Sequence, residues 1–319
     1  MVVLSLATVA LLATRLTTTT AAATPERREI LNVAIPNGFV HCLFYDDFTD
    51  PPGSPPSSSR WTFDLGTSYP GGPPNWGTGE TQTYTNDSAN IHITDDCTLR
   101  ITPIKLADGT WTSSRIETTE EWDFGARKGE IVRAEARIRL GTNPKSTQLG
   151  IWPAFWALGS PYRGNYQNWP AVGEIDILEN VNSEPKIWQV THCGYAPGGP
   201  CNEFNGLSHV TEPVERGAWY TVAWELDRRP SWFPWADREE RMNWYVDGKK
   251  SFTIKESDIA DDAAWEGLAE NCKFLLLNVA VGGGFPDGVA GFKTPTEDTV
   301  GGEGASMEVD YVAVYSRKY

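Results

Sequence analysis

Glu174, Asp176 and Glu179 put three carboxylates into six residues, interleaved with Ile175, Ile177 and Leu178 in the stretch GEIDILE. In a β-strand Glu174 and Asp176 share one face, and Ile175 and Ile177 share the other. Strict alternation would send Glu179 inward with the isoleucines, and a buried, unpaired carboxylate is costly. A bulge between Asp176 and Glu179, with Leu178 as the extra residue, returns Glu179 to the face of the other acids. A helix would instead separate Glu174 and Glu179 by ~140° around its axis and give no shared site. With the bulge, the two Glu Cα atoms lie ~13 Å apart. Long side chains leaning toward one another could then approach the ~5–5.5 Å between carboxyls used in retaining glycoside cleavage. Crowding has a chemical use, since neighbouring negative charge raises one pKa and keeps that group protonated as an acid. The plain alternative is an amphipathic strand with a wet acidic face.

The elements that must hold this segment are strands. NIHIT, TLRITPI, SSRIET, GEIVRAEARIRL, GIWPAFWAL, KIWQVTHC, WYTVAWEL, RMNWYVDG, KSFTIK, KFLLLNVAV and MEVDYVAVY alternate apolar and polar residues or run apolar. In RAEARIRL, Ala134, Ala136, Ile138 and Leu140 face one way, and Arg133, Glu135, Arg137 and Arg139 the other. A helix is expected near SDIADDAAWEGLAEN, and TDPPGSPPSSSR reads as a surface loop. About a dozen strands and almost no helix predict an all-β fold, one antiparallel β-sandwich in a single domain.

The 319 residues carry a net charge of −15, which excludes nucleic acid as an electrostatic partner. Fourteen Trp imply core filling with a few stacking platforms for flat apolar faces such as sugar rings. Residues 1–24 read as a signal peptide, with an apolar run too short to span a bilayer, so no membrane is expected as partner. Residues 25–40 read as an N-terminal arm. Cys193 and Cys201 bracket the Gly/Pro-rich GYAPGGP, a loop that a disulfide would close naturally in a secreted protein. The pairing of Cys42, Cys97 and Cys272 stays open. Asn86 opens an Asn-Asp-Ser glycosylation acceptor pattern.

The E-x-D-x-x-E pattern of GEIDILE resembles glycoside hydrolase family 16, in the bulged form of its laminarinase-like endoglucanases. GTGETQTYT, GIWPAFWALG, NWYVDG, LLLNVAVGGGFPDG and VDYVAVY resemble other family segments in family order, from residue 41 to residue 318. THCGYAPGGPCNEFNG is most similar to secreted fungal members. The resemblance implies a curved antiparallel β-jelly-roll sandwich of the concanavalin A-like lectin/glucanase fold, with residues 41–319 as the catalytic domain. It implies that Glu174 is the nucleophile, Glu179 the general acid/base, and Asp176 a helper that hydrogen-bonds the nucleophile. Trp156, Trp169, His192, Arg115, Glu80 and Phe285 are the implied substrate contacts. The family's His-Trp-Gly is His192-Cys193-Gly194 here, and Phe285 stands where many relatives carry Trp. Both departures touch the cleft wall and bear on substrate preference rather than on the reaction. Bland readings run alongside: Trp156 as core, His192 as a strand cap, and Arg115 paired with a local acid. No cofactor is required. A structural calcium near Asp47 and Asp310 is an option that some relatives use, ordinary surface carboxylates being the alternative.

The expected function is a secreted, monomeric, retaining endo-glycosidase acting on a polysaccharide, β-1,3-glucan or mixed-linkage β-1,3-1,4-glucan. The alternatives are a family enzyme acting on β-1,3-galactan, a transglycosylase, and a non-catalytic β-glucan-binding lectin.

Overall fold

The structure, a computed structural model, describes residues 34–229 and 239–318. The signal-peptide reading of 1–24 and most of the arm lie outside these residues. Two large sheets pack face to face. The first contains, in spatial order, β16 (Lys249–Lys255), β15 (Arg241–Val246), β14 (Trp219–Asp227), β9 (Glu130–Leu140), β18 (Met307–Lys318), β5 (Leu99–Ile101) and β4 (Ile91–Ile93), and β1 (His41–Asp46) also pairs with β18. The second runs β13 (Leu207–Thr211), β12 (Ile187–His192), β11 (Glu174–Glu179), β10 (Ile151–Gly159), β17 (Lys273–Val281), β8 (Arg115–Thr118) and β2 (Trp61–Phe63). A small third sheet joins β3 (Gln82–Tyr84), β7 (Trp111–Ser113) and β6 (Ile104–Lys105). Every pairing is antiparallel except β3 with β7, which is parallel.

Alternation decides which side chains enter the sandwich. On β9, Ala134, Ala136, Ile138 and Leu140 are buried in the core as expected. On β10 and β17 the odd-numbered residues face inward: Ile151, Phe155 and Ala157 meet Leu275, Leu277, Val279 and Val281 in one continuous cluster. Their even-numbered neighbours are thereby committed to the outer face of the second sheet. Trp61, Trp111, Trp224, Trp244 and Trp265 are buried, so core filling accounts for these five.

The expected helical segment forms two short helices, α1 (Glu256–Ile259) and α2 (Asp262–Ala269). Ala260 in the left-handed region breaks them, and the Asp261 side chain caps α2 by accepting from Ala264 N at 2.9 Å. A third helix, α3 (Gly284–Ala290), and the strands β2, β3, β7 and β13 are additions to the sequence reading. Short or half-exposed strands leave too few residues for alternation to register. The described end of the arm packs Ile35 and Phe39 against Ala313 and Tyr315 of β18. Among the described residues no helix is long and apolar enough to cross a membrane.

Candidate active site

β11 lies between β10 and β12, and its register slips where the acid spacing slips. Glu174 stands opposite Leu158 and His192, Asp176 opposite Trp156 and Val190, and Glu179 opposite Ala154 and Trp188. The break falls between Asp176 and Glu179. The residue left without a partner on β10 is Ile177, not Leu178, which pairs with Phe155. Ile177 and Leu178 both enter the core, where the extra residue is stabilised by burial instead of being extruded. Trp244 of the facing sheet crosses the sandwich and donates its indole N–H to the Asp176 carbonyl at 2.9 Å, beside the break. Glu179 is thus on the outer face with Glu174 and Asp176.

Each carboxyl has its own environment. Trp169 Nε1 donates to Glu174 Oε2 at 3.1 Å, and Trp152 Nε1 donates to Glu179 Oε1 at 2.9 Å. Burial pushes Glu179 up to about 7, with the His192 charge and the Trp152 bond pulling down and the Glu174 charge adding a smaller push up. Burial also raises Glu174, against the opposing pull of His192, Trp169 and Arg115. Asp176 is held well above the carboxylate range, first by burial and then by the charges of Glu179, Glu174 and Glu203. Its Oδ2 is buried without a hydrogen-bond partner. Repulsion between neighbours was the expected cause of these shifts. Desolvation is the larger one, because surrounding strands strip water from all three groups. Burial and the two flanking Glu thus act together to favour the protonated form of Asp176.

His192 completes the cluster. Its Nε2 lies 3.5 Å from Asp176 Oδ2 and 4.0 Å from Glu174 Oε1, and its Nδ1 lies 2.7 Å from Glu203 Oε2. Burial works against the imidazolium, but the Glu203 hydrogen bond and the charges of Glu174, Glu203 and Glu179 outweigh it and raise the His192 pKa. Among the described residues, Glu174, Asp176 and His192 are the one group of three metal-ligating side chains close together, within 4.8 Å. Their hydrogen bonds to Trp169 and Glu203 suit proton chemistry, and no metal is assigned to them. Asp310 Oδ2 accepts from Arg137 at 2.7 Å and Asp47 Oδ1 from Thr49 at 3.1 Å.

Further along the same face, Trp156 is half-buried, packs against the cluster of Leu158, Tyr162, Phe274 and Leu276, and donates to Asn278 Oδ1 at 2.8 Å. Arg115, 5% exposed, is paired with a local acid, Asp64 Oδ2, at 2.9 Å. Its guanidinium packs 4.5 Å from the Trp76 ring and 4.9 Å from the Trp156 ring. It therefore braces Trp156. Glu80 is similarly committed, accepting from Thr78, Gln82 and Tyr84. Phe285 sits edge-on to both Trp152 and Trp188, at ring distances of 5.6 and 5.5 Å, and so borders the Glu179 end. At the Glu174 end, Trp169 stacks near-parallel on Phe204, which is 67% exposed.

Trp152, Trp188, Asn278, Glu203 and Phe204 are site residues that the sequence reading did not single out. Trp152 was available from alternation, two positions before Ala154. Glu203 and Phe204 follow Cys201, whose disulfide to Cys193 forms as expected with a Cα separation of 5.3 Å. No strand pattern flags them. Asn86 is exposed in the loop after β3, where an acceptor asparagine must be to be reached.

Residues 138–202 match the family model described as XgeA-like, catalytic GH16 domain. The crystal structure of an endo-1,3-beta-glucanase from Streptomyces sioyaensis superposes with a TM-score of 0.83 at 43% identity, covering 90% of this chain and 100% of that one. A glucan endo-1,3-beta-glucosidase A1 from Niallia circulans is 27% identical over 88% of this chain, which spans 38% of that longer protein. A beta-1,3-glucan-binding protein from Penaeus monodon is 31% identical over 64% of this chain and 62% of its own length.

Proposed function

Because the chain belongs to glycoside hydrolase family 16, we propose that it is a retaining endo-glycosidase that hydrolyses β-1,3-glucan, with mixed-linkage β-1,3-1,4-glucan as a second substrate. The observation that carries this reading is the slipped register of β11, which sets Glu174, Asp176 and Glu179 side by side on one face. Glu179, pushed up to about 7, keeps its proton in mildly acidic solution and can deliver it to the leaving glycosidic oxygen. Glu174 is oriented by Trp169 and lies beside the His192 ring, whose pKa is raised by its acid neighbours. It attacks the anomeric carbon and forms a glycosyl-enzyme bond as the leaving group departs with the Glu179 proton. Glu179, now a carboxylate, takes a proton from water, and the resulting hydroxide equivalent displaces Glu174. Asp176, whose proton affinity is raised by burial and by its acid neighbours, stands beside Glu174 on the same strand face. Trp169 and Phe204 at one end, and Trp152, Trp188 and Phe285 at the other, offer apolar faces to sugar rings.

The reading includes export directed by residues 1–24 and action as a monomer, in keeping with the disulfide. N-terminal sequencing of protein recovered from the culture medium and light scattering of purified protein test those two parts. The main test is release of reducing sugar from laminarin, lichenan, β-1,3-galactan and agarose, with Glu174→Gln as control. Laminarin should be cleaved and the variant should be inactive. Preferential release from galactan would redirect the substrate, and chain-lengthened products would redirect the reaction to transglycosylation. The Penaeus monodon relative favours one further reading, a lectin, which requires laminarin binding with no release by the wild-type protein.

A further inference from the structure

We propose that Glu203 is a positioning residue for the reaction, one that holds the Nδ1 proton of His192 so that Nε2 is the exchanging nitrogen facing Asp176 and Glu174. This rests on the reading of Glu174 as the attacking carboxylate.

The Glu203 side chain has two acceptor oxygens, and two different donors occupy them. Cys193 N–H donates to Oε1 at 2.8 Å, and the ring nitrogen Nδ1 of His192 lies 2.7 Å from Oε2. A carboxylate can only accept, so Nδ1 must carry a hydrogen. The other ring nitrogen then gains and loses the exchangeable proton, and it stands 3.5 Å from Asp176 Oδ2 and 4.0 Å from Glu174 Oε1. The groups facing the ring are Glu174, Asp176 and Glu179 of β11 and Glu203 of the loop. All are acids, and Glu203 and Glu174 favour a proton on the ring that faces them.

Glu203 is anchored at several points. Its side chain is wholly shielded from solvent. Its backbone N–H and C=O both pair with Gly198 inside the loop. The Cys193–Cys201 disulfide ties the start of that loop to a point two residues before Glu203, and Cys193 itself follows His192 directly. The residue that orients the ring is therefore fastened to the ring's own strand end by a covalent bridge. A ring held from one side keeps its second nitrogen aimed without spending an additional contact at the reacting end.

Glutamine cannot replace this carboxylate. It has one acceptor oxygen, and if Cys193 N–H keeps it, the amide NH2 faces Nδ1. The imidazolium would then meet donor against donor, and the ring is left neutral with its hydrogen on Nε2.

Nitrogen-15 NMR of histidine-labelled protein, with the His192 signals identified through His192→Gln, reads the arrangement without any substrate. In the wild type Nδ1 should stay protonated across the titration. In Glu203→Gln the midpoint should fall by about one pH unit or more. On laminarin, Glu203→Gln should lower kcat about tenfold with KM within about twofold, and that loss should vanish in the His192→Gln background. An unprotonated Nδ1 in the wild type overturns the proposal even if the variant does not fold. So does an equal kcat loss in both backgrounds, or no loss in either. Wild-type protein that releases no sugar would sink the hydrolase reading instead, and the NMR measurement would still decide the role of Glu203.

Discussion

Trp152 donates its indole N–H to Glu179 Oε1 at 2.9 Å from a position two residues along β10 from Glu179's direct partner, Ala154. This diagonal contact is open to Glu179 because the register break has brought it onto the Trp152 face. An unbroken strand would have pointed the same carboxyl into a core of Ile and Leu side chains. The tryptophan holds the carboxyl in place while burial sets its proton affinity.

The first prediction concerns the pH profile. With Glu179 held at about 7, hydrolysis should fall as pH rises through that value, because the acid loses its proton. Glu179→Gln should lower kcat on laminarin by about 10²–10⁴-fold. A pH–rate series on the wild type checks the first part. A flat rate from pH 6 to about 9 would remove Glu179 from the acid role.

Removing the same carboxyl should cost activity but raise stability at high pH. Glu179 is raised above its unfolded value by burial, so between the ordinary Glu value and about 7 the folded chain binds more protons than the unfolded one. The fold is then penalised as pH rises through that window. Glutamine keeps an oxygen for the Trp152 N–H and never carries the charge. Glu179→Gln should therefore melt above the wild type at pH 8 and close to it at pH 5, by calorimetry at both pH values. A variant that melts below the wild type at pH 8 would contradict the desolvation argument.

Trp169→Phe separates stacking from hydrogen bonding. It keeps a ring near Phe204 and removes the N–H that donates to Glu174 Oε2 at 3.1 Å. Bonds to charged groups contribute about 1.5–3 kcal/mol, which corresponds to a kcat loss of about 10- to 150-fold with KM little changed. Steady-state kinetics on laminarin decide it: a rise in KM alone would make Trp169 a platform and nothing more.

The disulfide closes a loop with a sequence separation of 8 between its cysteines, and the chain-entropy model assigns it about 2.5 kcal/mol of stability. Cys193→Ser with Cys201→Ser should lower the urea midpoint accordingly. Because Glu203 and Phe204 hang from the same loop, activity should drop more steeply than stability does under folding conditions. Full activity in a destabilised variant would show that the loop serves the fold alone.

Much of this was legible in the chain. The period-two alternation of β9 assigned its faces residue by residue, and the misplaced Glu179 announced the bulge, although Leu178 was expected to be the extra residue where Ile177 is unpartnered on β10. His192 and Trp169 contact the acids directly, and Phe285 packs on Trp152, the partner of Glu179. Arg115 was readable as a basic group near the site but not as the partner of Asp64, 51 residues away. Glu203 left no periodic signal, since it lies in a loop whose path depends on a disulfide and on Gly198.

The division has a physical basis. Strand faces, the slip in β11 and the spacing of the acids follow from backbone geometry and from the cost of burying a carboxylate, both local properties that a short window of sequence carries. Ionisation does not. The proton affinities of Glu174, Asp176 and Glu179 are governed first by how much water the neighbouring strands exclude, and only then by the charges nearby. The sequence determined which groups stand together. The tertiary structure decided which of them keep their protons and which side chains hold them, because desolvation is set by residues far apart in the chain.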